Sequence, residues 1–370
     1  MEKVFPFGFP FPTGFYLVLY VLTLVIHVFF MNYVLVGTAY LAVRSFVGGG
    51  SKAAGIESPK ALILRDWLPF ALGLAITAGV APLLFVQILY KKNFYTANLL
   101  GFHRWMSILP VLILGYYLLY WLNSRRIEQW WRGWRIIVGV GAFTCLAWTA
   151  YSWTENHVLS RHAEVWPELY ASGSLTYWNP ELLPRLAVWF SGAVPTMCVI
   201  LAWQLCYGER RGQFLPAGET RGTAILALAG IALSAVSGAL YCVLIGTASR
   251  RAIVSPLAWP YLVLAVVGLL IQVWAWRMHL NRTTFDGRKL ALATLGVVLT
   301  VIGVSVVREA IRLQSFGDLS ALYSVHQEAF RVGGFGLFLV FFVVVAGLIA
   351  LCIVLVRHGQ KREAVGPVEQ

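Results

Sequence analysis

The chain has 370 residues, of which 59% are hydrophobic and 12% charged, and its mean hydropathy is +0.73. This composition excludes an ordinary soluble globular domain and indicates an integral membrane protein. A net charge of +13 would suit nucleic-acid binding in a soluble chain. Here the Lys and Arg residues lie in short loops beside apolar segments, so we predict no nucleic-acid function.

Nine apolar stretches are each long enough to cross a bilayer as a helix, which takes about 20 residues. They lie near residues 15–43, 67–90, 105–123, 135–156, 184–207, 222–247, 253–276, 288–311 and 333–356. The sequence therefore predicts an all-α polytopic membrane helix bundle with about nine transmembrane helices. One set of alternate loops holds 18 of the 29 Lys and Arg residues. The positive-inside rule then places the N-terminus outside and the C-terminus in the cytoplasm.

We expect residues 1–357 to form a single transmembrane helical domain with two long outer loops, 157–183 and 312–332. The first loop mixes aromatic residues with carboxylates, and the second can form an amphipathic surface helix with His326 near its apolar face. Such loops suit either an interfacial aromatic belt or a docking surface for an external partner. Residues 358–370 are predicted to be a disordered cytoplasmic tail.

Several familiar signatures are missing from the sequence. The five cysteines lie in apolar segments without a CxxC pair or a CxxCH site for covalent c-type haem, which disfavours disulfides and zinc knuckles. No P-loop, dinucleotide fingerprint or HExxH motif is present. Paired Gly/Pro interruptions of two spans are also missing, which disfavours a transporter.

The first apolar segment carries His27 near its middle and Asn32 five residues later. An ionisable group at that depth is costly unless it has a partner. A neutral imidazole can ligate haem iron or hydrogen-bond a quinone, and Gly37, Gly73 and Gly79 could leave room for a porphyrin. The alternative is a structural histidine that hydrogen-bonds a carbonyl of a neighbouring helix, or Asn32.

The fourth predicted span places Thr144, Trp148, Tyr151 and Glu155 on one helix face, at spacings of four, three and four. This face could line a quinone pocket, with Trp148 and Tyr151 as contacts and Glu155 as the catalytic proton acceptor. His157 follows directly. The alternative is an aromatic belt with a solvated carboxylate.

The eighth predicted span ends with Arg308 and Arg312 on one face, beside Glu309. Two guanidinium groups at a membrane boundary suit anions such as haem propionates. Glu309 and Arg312 could instead pair with each other, three residues apart. The sequence alone does not decide between anion binding by the two arginines and pairing of Glu309 with Arg312.

Four histidines fall on the side predicted to be outer: His103, His157, His162 and His326. We take His103 and His157 as candidate cofactor contacts. His157 and His162 are five residues apart, which does not place them on one helix face, so a zinc or copper site is disfavoured.

Two segments resemble subunit I of the cytochrome bd quinol oxidases. "VIHVFFMNYVLVGTAYL" contains His27, and "YWNPELLPRLAVWFSGAV" contains an Asn-Pro pair before the fifth span and a Ser-Gly pair within it. The resemblance implies nine spans, an external N-terminus and a haem-ligating histidine in the first helix.

The chain departs from this family at three points. The fifth span has only Leu186, Ala187, Val188 and Trp189 where the family carries a second haem ligand, and the long quinol-binding loop is reduced to "TASRRAI". The family's glycine, arginine, glutamine, proline, tryptophan run has only "REAIRLQ" in its place. The resemblance thus implies a reduced electron-transfer subunit, with one b-type haem whose iron is bound by His27, or with a quinone only.

These observations favour a multi-pass subunit of a respiratory complex in the bacterial inner membrane. It would pass electrons between quinone and periplasmic redox partners, such as a cytochrome, within a hetero-oligomer, as a possible quinol-linked oxidoreductase. One alternative is a cofactor-free membrane anchor that docks periplasmic cytochromes or catalytic subunits. A less favoured one is a small-solute transporter with His27, Asn32 and Glu155 along its path.

Overall fold

A computed structural model of the chain describes residues 8–47, 58–124, 131–175 and 177–333, together with some of the residues between 336 and 355. Its helices, in chain order, are α1 (Phe11–Val47), α2 (Pro59–Leu89), α3 (Lys91–Leu100), α4 (Phe102–Asn123), α5 (Arg132–Leu159), α6 (Trp166–Ser172), α7 (Leu182–Arg210), α8 (Glu219–Leu244), α9 (Thr247–Ile253), α10 (Trp259–Arg277), α11 (Gly287–Ser315) and α12 (Ser320–Val332). A 3₁₀ turn at Ala163–Val165 precedes α6. The described residues contain helices, turns and bends but no strand.

Eight of these helices are long and apolar enough to cross a membrane by length and composition: α1, α2, α4, α5, α7, α8, α10 and α11. The chain is therefore a polytopic helical membrane protein, as the sequence predicts. In the ninth predicted span, near 333–356, the described positions are helical but many others lie outside the described residues. The predicted tail, 358–370, lies outside them as well.

Local sequence sets several helix starts. Pro59 and Pro260 lie in the first turns of α2 and α10, where a missing N–H costs nothing. Asp286 caps α11 by accepting a hydrogen bond from the Arg288 N–H at 3.0 Å. α2 begins eight residues before its predicted start at 67, and the charge of Lys60 in its first turn is balanced by Glu219 at 2.7 Å.

Consecutive long helices form the closest-packed pairs, namely α4 with α5, α7 with α8, and α10 with α11. The α10–α11 pair depends on glycine. A Cβ placed on Gly268 would lie 2.6 Å from the Gly296 carbonyl oxygen, and one on Gly303 would overlap the Tyr261 carbonyl oxygen. Only glycine allows the two backbones to approach this closely.

The chain divides into two compact units. The larger, residues 15–319, has a continuous apolar core to which α1, α2, α7 and α11 contribute fully buried residues, including Tyr33, Leu68, Met197, Leu201 and Leu290. The other unit comprises residues 1–14 and 320–370. Its described part contains the amphipathic helix predicted within 312–332, here α12, in which buried His326 lies 2.9 Å from the Thr13 hydroxyl.

Candidate functional site

His27 is held by a carbonyl of the neighbouring helix. Its Nδ1 lies 2.9 Å from the Ala75 carbonyl oxygen on α2. Because that oxygen can only accept, Nδ1 carries the proton and Nε2 keeps its lone pair. This is one of the two partners that the sequence left open, since the Asn32 amide donates to Thr196 on α7 at 3.3 Å.

The glycines expected to leave room for a porphyrin do not form a slot together. The space over Gly37 is filled by Leu64 and Leu68, and the space over Gly79 is filled by the His27 ring itself, 3.0 Å from a built Cβ. A Cβ on Gly73 would meet no atom within 4 Å. The residues around His27 therefore offer an imidazole in a ligating tautomer without a cradle for a haem, and haem ligation there stays a prediction.

The predicted face of α5 does border a cavity. An apolar crevice of about 390 Å³ lies between α5 and α7, within the usual 300–1,000 Å³ range of small-molecule sites. Its walls are Leu35, Phe143, Thr144, Ala147, Trp148, Ala150, Tyr151, Leu186, Trp189 and Phe190. The Trp148 and Tyr151 rings stack with 6.3 Å between their centroids.

A charged pair adjoins this crevice. Glu155, 5% exposed, forms an ion pair with Arg104 of α4 at 2.8 Å. Arg104 Nη1 also donates to the Tyr151 hydroxyl at 3.3 Å, so Tyr151 belongs both to the crevice wall and to the ion-pair network. The predicted alternative of a solvated Glu155 is therefore wrong, since the carboxylate is buried and paired.

A second, much smaller cavity lies beside Glu155. It has about 20 Å³, and its lining includes Arg104, Trp105, Ser152 and Asn156. This is enough for a water molecule, and the walls supply polar partners for one. Glu155 thus faces a site that a single water can occupy, at the same end of the bundle as the predicted outer loops.

The other predicted anion contacts lie in a buried network. Arg308 donates from Nε to Glu309 Oε1 at 2.9 Å and from Nη2 to the Tyr20 hydroxyl at 2.5 Å. Arg312 lies 3.8 Å from Glu309, which is the pairing that the sequence left open, and donates to Ser160 at 3.1 Å. Its guanidinium also lies over the Tyr90 ring, 4.1 Å from the centroid.

Three of the predicted outer histidines have different surroundings. His103 is exposed at the start of α4, His157 lies inside the bundle, and His162 pairs with Glu164 at 2.7 Å. Among the described residues no group of three or more His, Cys, Asp or Glu side chains is arranged to hold a metal ion. His157 and the crevice are close in sequence but His157 is not in the crevice wall.

Sequence reasoning missed several partners in these networks. Tyr90 donates to Glu309 at 2.9 Å across 219 residues, and Arg161 donates to Glu181 at 3.0 Å. The intramembrane polar contact of Tyr33 with Gln204, at 3.0 Å, was also missed. Buried charges in apolar segments were the available signal, because such groups are expected to be paired.

Comparison of the chain with protein-family models, with curated proteins and with solved structures finds no match.

Proposed function

We propose that this chain is the membrane subunit of a respiratory electron-transfer complex in the bacterial cytoplasmic membrane, and that it binds quinone or quinol in the α5–α7 crevice. Electrons would pass between the quinone pool and a redox protein at the end of the bundle that carries Glu155 and Arg312. The positive-inside count predicts that end to be outer.

The observation that carries the proposal is the position of Tyr151. Its ring forms part of an apolar, aromatic wall that suits a flat quinone ring, and its hydroxyl hydrogen-bonds Arg104, which pairs with Glu155. A polar head held at an apolar crevice by a few hydrogen-bonding groups is the usual design of a small-molecule site. In this arrangement a single residue separates the Glu155 carboxylate from the ligand.

Quinol oxidation gives the network of Tyr151, Arg104 and Glu155 a chemical role. Oxidation of a quinol to a quinone releases two electrons and two protons. The electrons leave to the redox protein, a carboxylate near the ring oxygens can accept one proton as they do, and the other proton leaves to water. Glu155 supplies that carboxylate, Arg104 holds it in place, and Tyr151 connects the pair to the crevice. No step depends on a haem.

The proposal is tested by titrating the purified protein in detergent with a short-chain ubiquinone and a naphthoquinone, by calorimetry. We expect saturable binding, weakened at least tenfold by Ala147→Trp, which fills the crevice. Leu270→Trp is the matched control, since Leu270 lies on another span and is 62% exposed. Absence of saturable binding, or equal binding by both variants, would refute the proposal.

A second candidate is a cofactor-free anchor that docks periplasmic cytochromes or catalytic subunits. It is favoured by large side chains exposed between α5 and α7, where Tyr170 is 82% and Trp178 68% exposed. Under this function, Tyr170→Ala with Trp178→Ala abolishes co-purification of the partner, and the wild type shows no saturable quinone binding. Saturable quinone binding that Ala147→Trp weakens supports the quinone site instead.

A further inference from the structure

A cluster of arginines lies inside the bundle, apart from the quinone crevice. It comprises Arg161 of the segment after α5, Arg185 of α7, and Arg308 and Arg312 of α11. Shared partners link the four arginines: Arg308 and Arg312 both pair with Glu309, Arg312 donates to Ser160 next to Arg161, and Arg161 pairs with Glu181, one turn before Arg185 on α7. His157 lies in the same place, since its carbonyl oxygen accepts from the Ser160 hydroxyl. Cations rarely gather in a protein interior unless something compensates them.

The carboxylates of the cluster do not balance its arginines. Glu309 is shared by Arg308 and Arg312, and Glu181 pairs with Arg161. Glu164 reaches Arg161 only from the surface, where its side chain is 68% exposed and bonded to His162. Within the described residues, four guanidinium groups thus share two buried carboxylates, which leaves two guanidinium charges without a buried carboxylate of their own.

Several hydrogen-bond donors of the cluster also lack acceptors. In the described part of the chain, Arg312 is 1% exposed but its Nε has no hydrogen-bond partner and its Nη1 has only the 3.8 Å ion pair with Glu309, and Arg161, 4% exposed, has no partner for Nε. His157 Nε2 is buried without a partner too. Arg185 has Tyr241, Arg161, Arg308 and Glu181 as its electrostatic neighbours.

Unsatisfied buried donors and uncompensated buried charge are each costly. One ligand can relieve both. A single planar carboxylate is satisfied by one guanidinium fork, whereas a tetrahedral oxyanion presents oxygens in several directions at once. Donors that come from α5, α7 and α11 and from the segment after α5 therefore match phosphate better than a carboxylate.

We propose that the cluster of Arg161, Arg185, Arg308, Arg312 and His157 is a binding site for a phosphate group. The group is either free inorganic phosphate or the headgroup phosphate of a phospholipid, which share non-esterified phosphate oxygens as hydrogen-bond acceptors. The site is independent of the quinone crevice, so either can fail without the other.

The test uses the full-length protein in detergent, after exhaustive delipidation. Thermal unfolding is followed at constant ionic strength with sodium phosphate replacing sodium chloride, and tightly held phospholipid is measured as phosphorus per protein. We compare the wild type with Arg185→Gln, with Arg185→Lys, and with Arg251→Gln as the control, because Arg251 is an exposed arginine of α9.

Free phosphate as the ligand predicts a saturable rise in Tm with phosphate, whose midpoint shifts at least tenfold in Arg185→Gln, less in Arg185→Lys and not at all in Arg251→Gln. A lipid headgroup predicts about one retained phosphorus per chain, lost in Arg185→Gln alone. If the wild type shows neither saturable stabilisation nor retained phosphorus, the proposal is overturned. If Arg185→Gln does not fold, the Arg185→Lys midpoint and the wild-type measurements decide.

Discussion

Arg104 of α4 and Glu155 of α5 form a buried ion pair, with 2.8 Å between Nη1 and Oε1. The guanidinium is anchored on its other side by the Leu175 carbonyl oxygen, at 2.8 Å, so the pair also fastens the segment after α6 to the bundle. This arrangement fixes the Glu155 carboxylate beside the crevice wall.

Removing one partner of this ion pair should lower the free energy of unfolding. Arg104→Met leaves the Glu155 carboxylate buried without its cation, and such losses cost about 3–5 kcal/mol. We expect a clearly lowered Tm in detergent. The double variant Arg104→Met with Glu155→Leu should recover most of the loss, because the buried charge is gone. If the double variant is as unstable as the sum of the single ones, the two residues do not interact as described.

The visible spectrum tests the role of His27. Because its ring is bonded to the Ala75 carbonyl and fills the space over Gly79, we expect no Soret band that depends on His27. His27→Ala should instead cost stability, about 0.5–1.5 kcal/mol for the lost hydrogen bond, since the Ala75 carbonyl keeps its place in the helical hydrogen-bond pattern of α2. A Soret band and reduced α-band in the wild type, both lost in His27→Ala, would contradict this expectation and support haem ligation by His27.

Because α10 packs closely against α11, the effect of a Gly→Ala substitution on stability should depend strongly on its position. Gly303→Ala pushes a methyl group into the Tyr261 carbonyl, and overpacking of this kind costs about 1–3 kcal/mol. Gly238→Ala on α8 is the control, since a Cβ there meets no atom within 4 Å. There we expect no loss, or a gain of about 0.5–1 kcal/mol. Equal effects in thermal unfolding would refute the described packing.

His279, in the loop between α10 and α11, should make stability depend on pH. Burial lowers the pKa of this imidazole, which donates to the Ala275 carbonyl oxygen and accepts from the Asp286 N–H. The folded state therefore binds a proton less readily than the unfolded state, whose histidine pKa is about 6.5. Stability should be fully present above that pH and decline as the pH falls below it.

The check is Tm measured between pH 5 and 8 for the wild type and for His279→Gln. The glutamine amide of this variant has no proton to gain in this range, so its curve should be flatter below about pH 6.5. Parallel curves for the two proteins would show that His279 is not the group responsible.

Helix-forming segments were predictable because they depend on local composition. The eight spans found among the described residues overlap eight of the nine predicted ones, and the face of Thr144, Trp148 and Tyr151 does border one crevice. The short helix α3 was not predicted, since it lies between the predicted spans 67–90 and 105–123.

Long-range partners were not predictable in the same way. Arg308 and Tyr20 are 288 residues apart, and no periodicity along either helix indicates that they meet. The sequence showed that Arg308 and Arg312 needed anionic partners, but Glu309, the Tyr20 hydroxyl and the face of the Tyr90 ring supply much of that need from inside the protein. Pairing of this kind depends on how helices pack, which one sequence does not show.

The crevice is bordered by Trp148, which is 39% exposed within a membrane span. A molecule entering there comes sideways from the acyl chains, so its effective concentration is set by how strongly it dissolves in lipid. Ligands that share a ring but carry isoprenoid tails of different lengths should therefore differ strongly in apparent affinity when their concentration is given per volume of water. The differences should be much smaller when the concentration is given per mole of lipid.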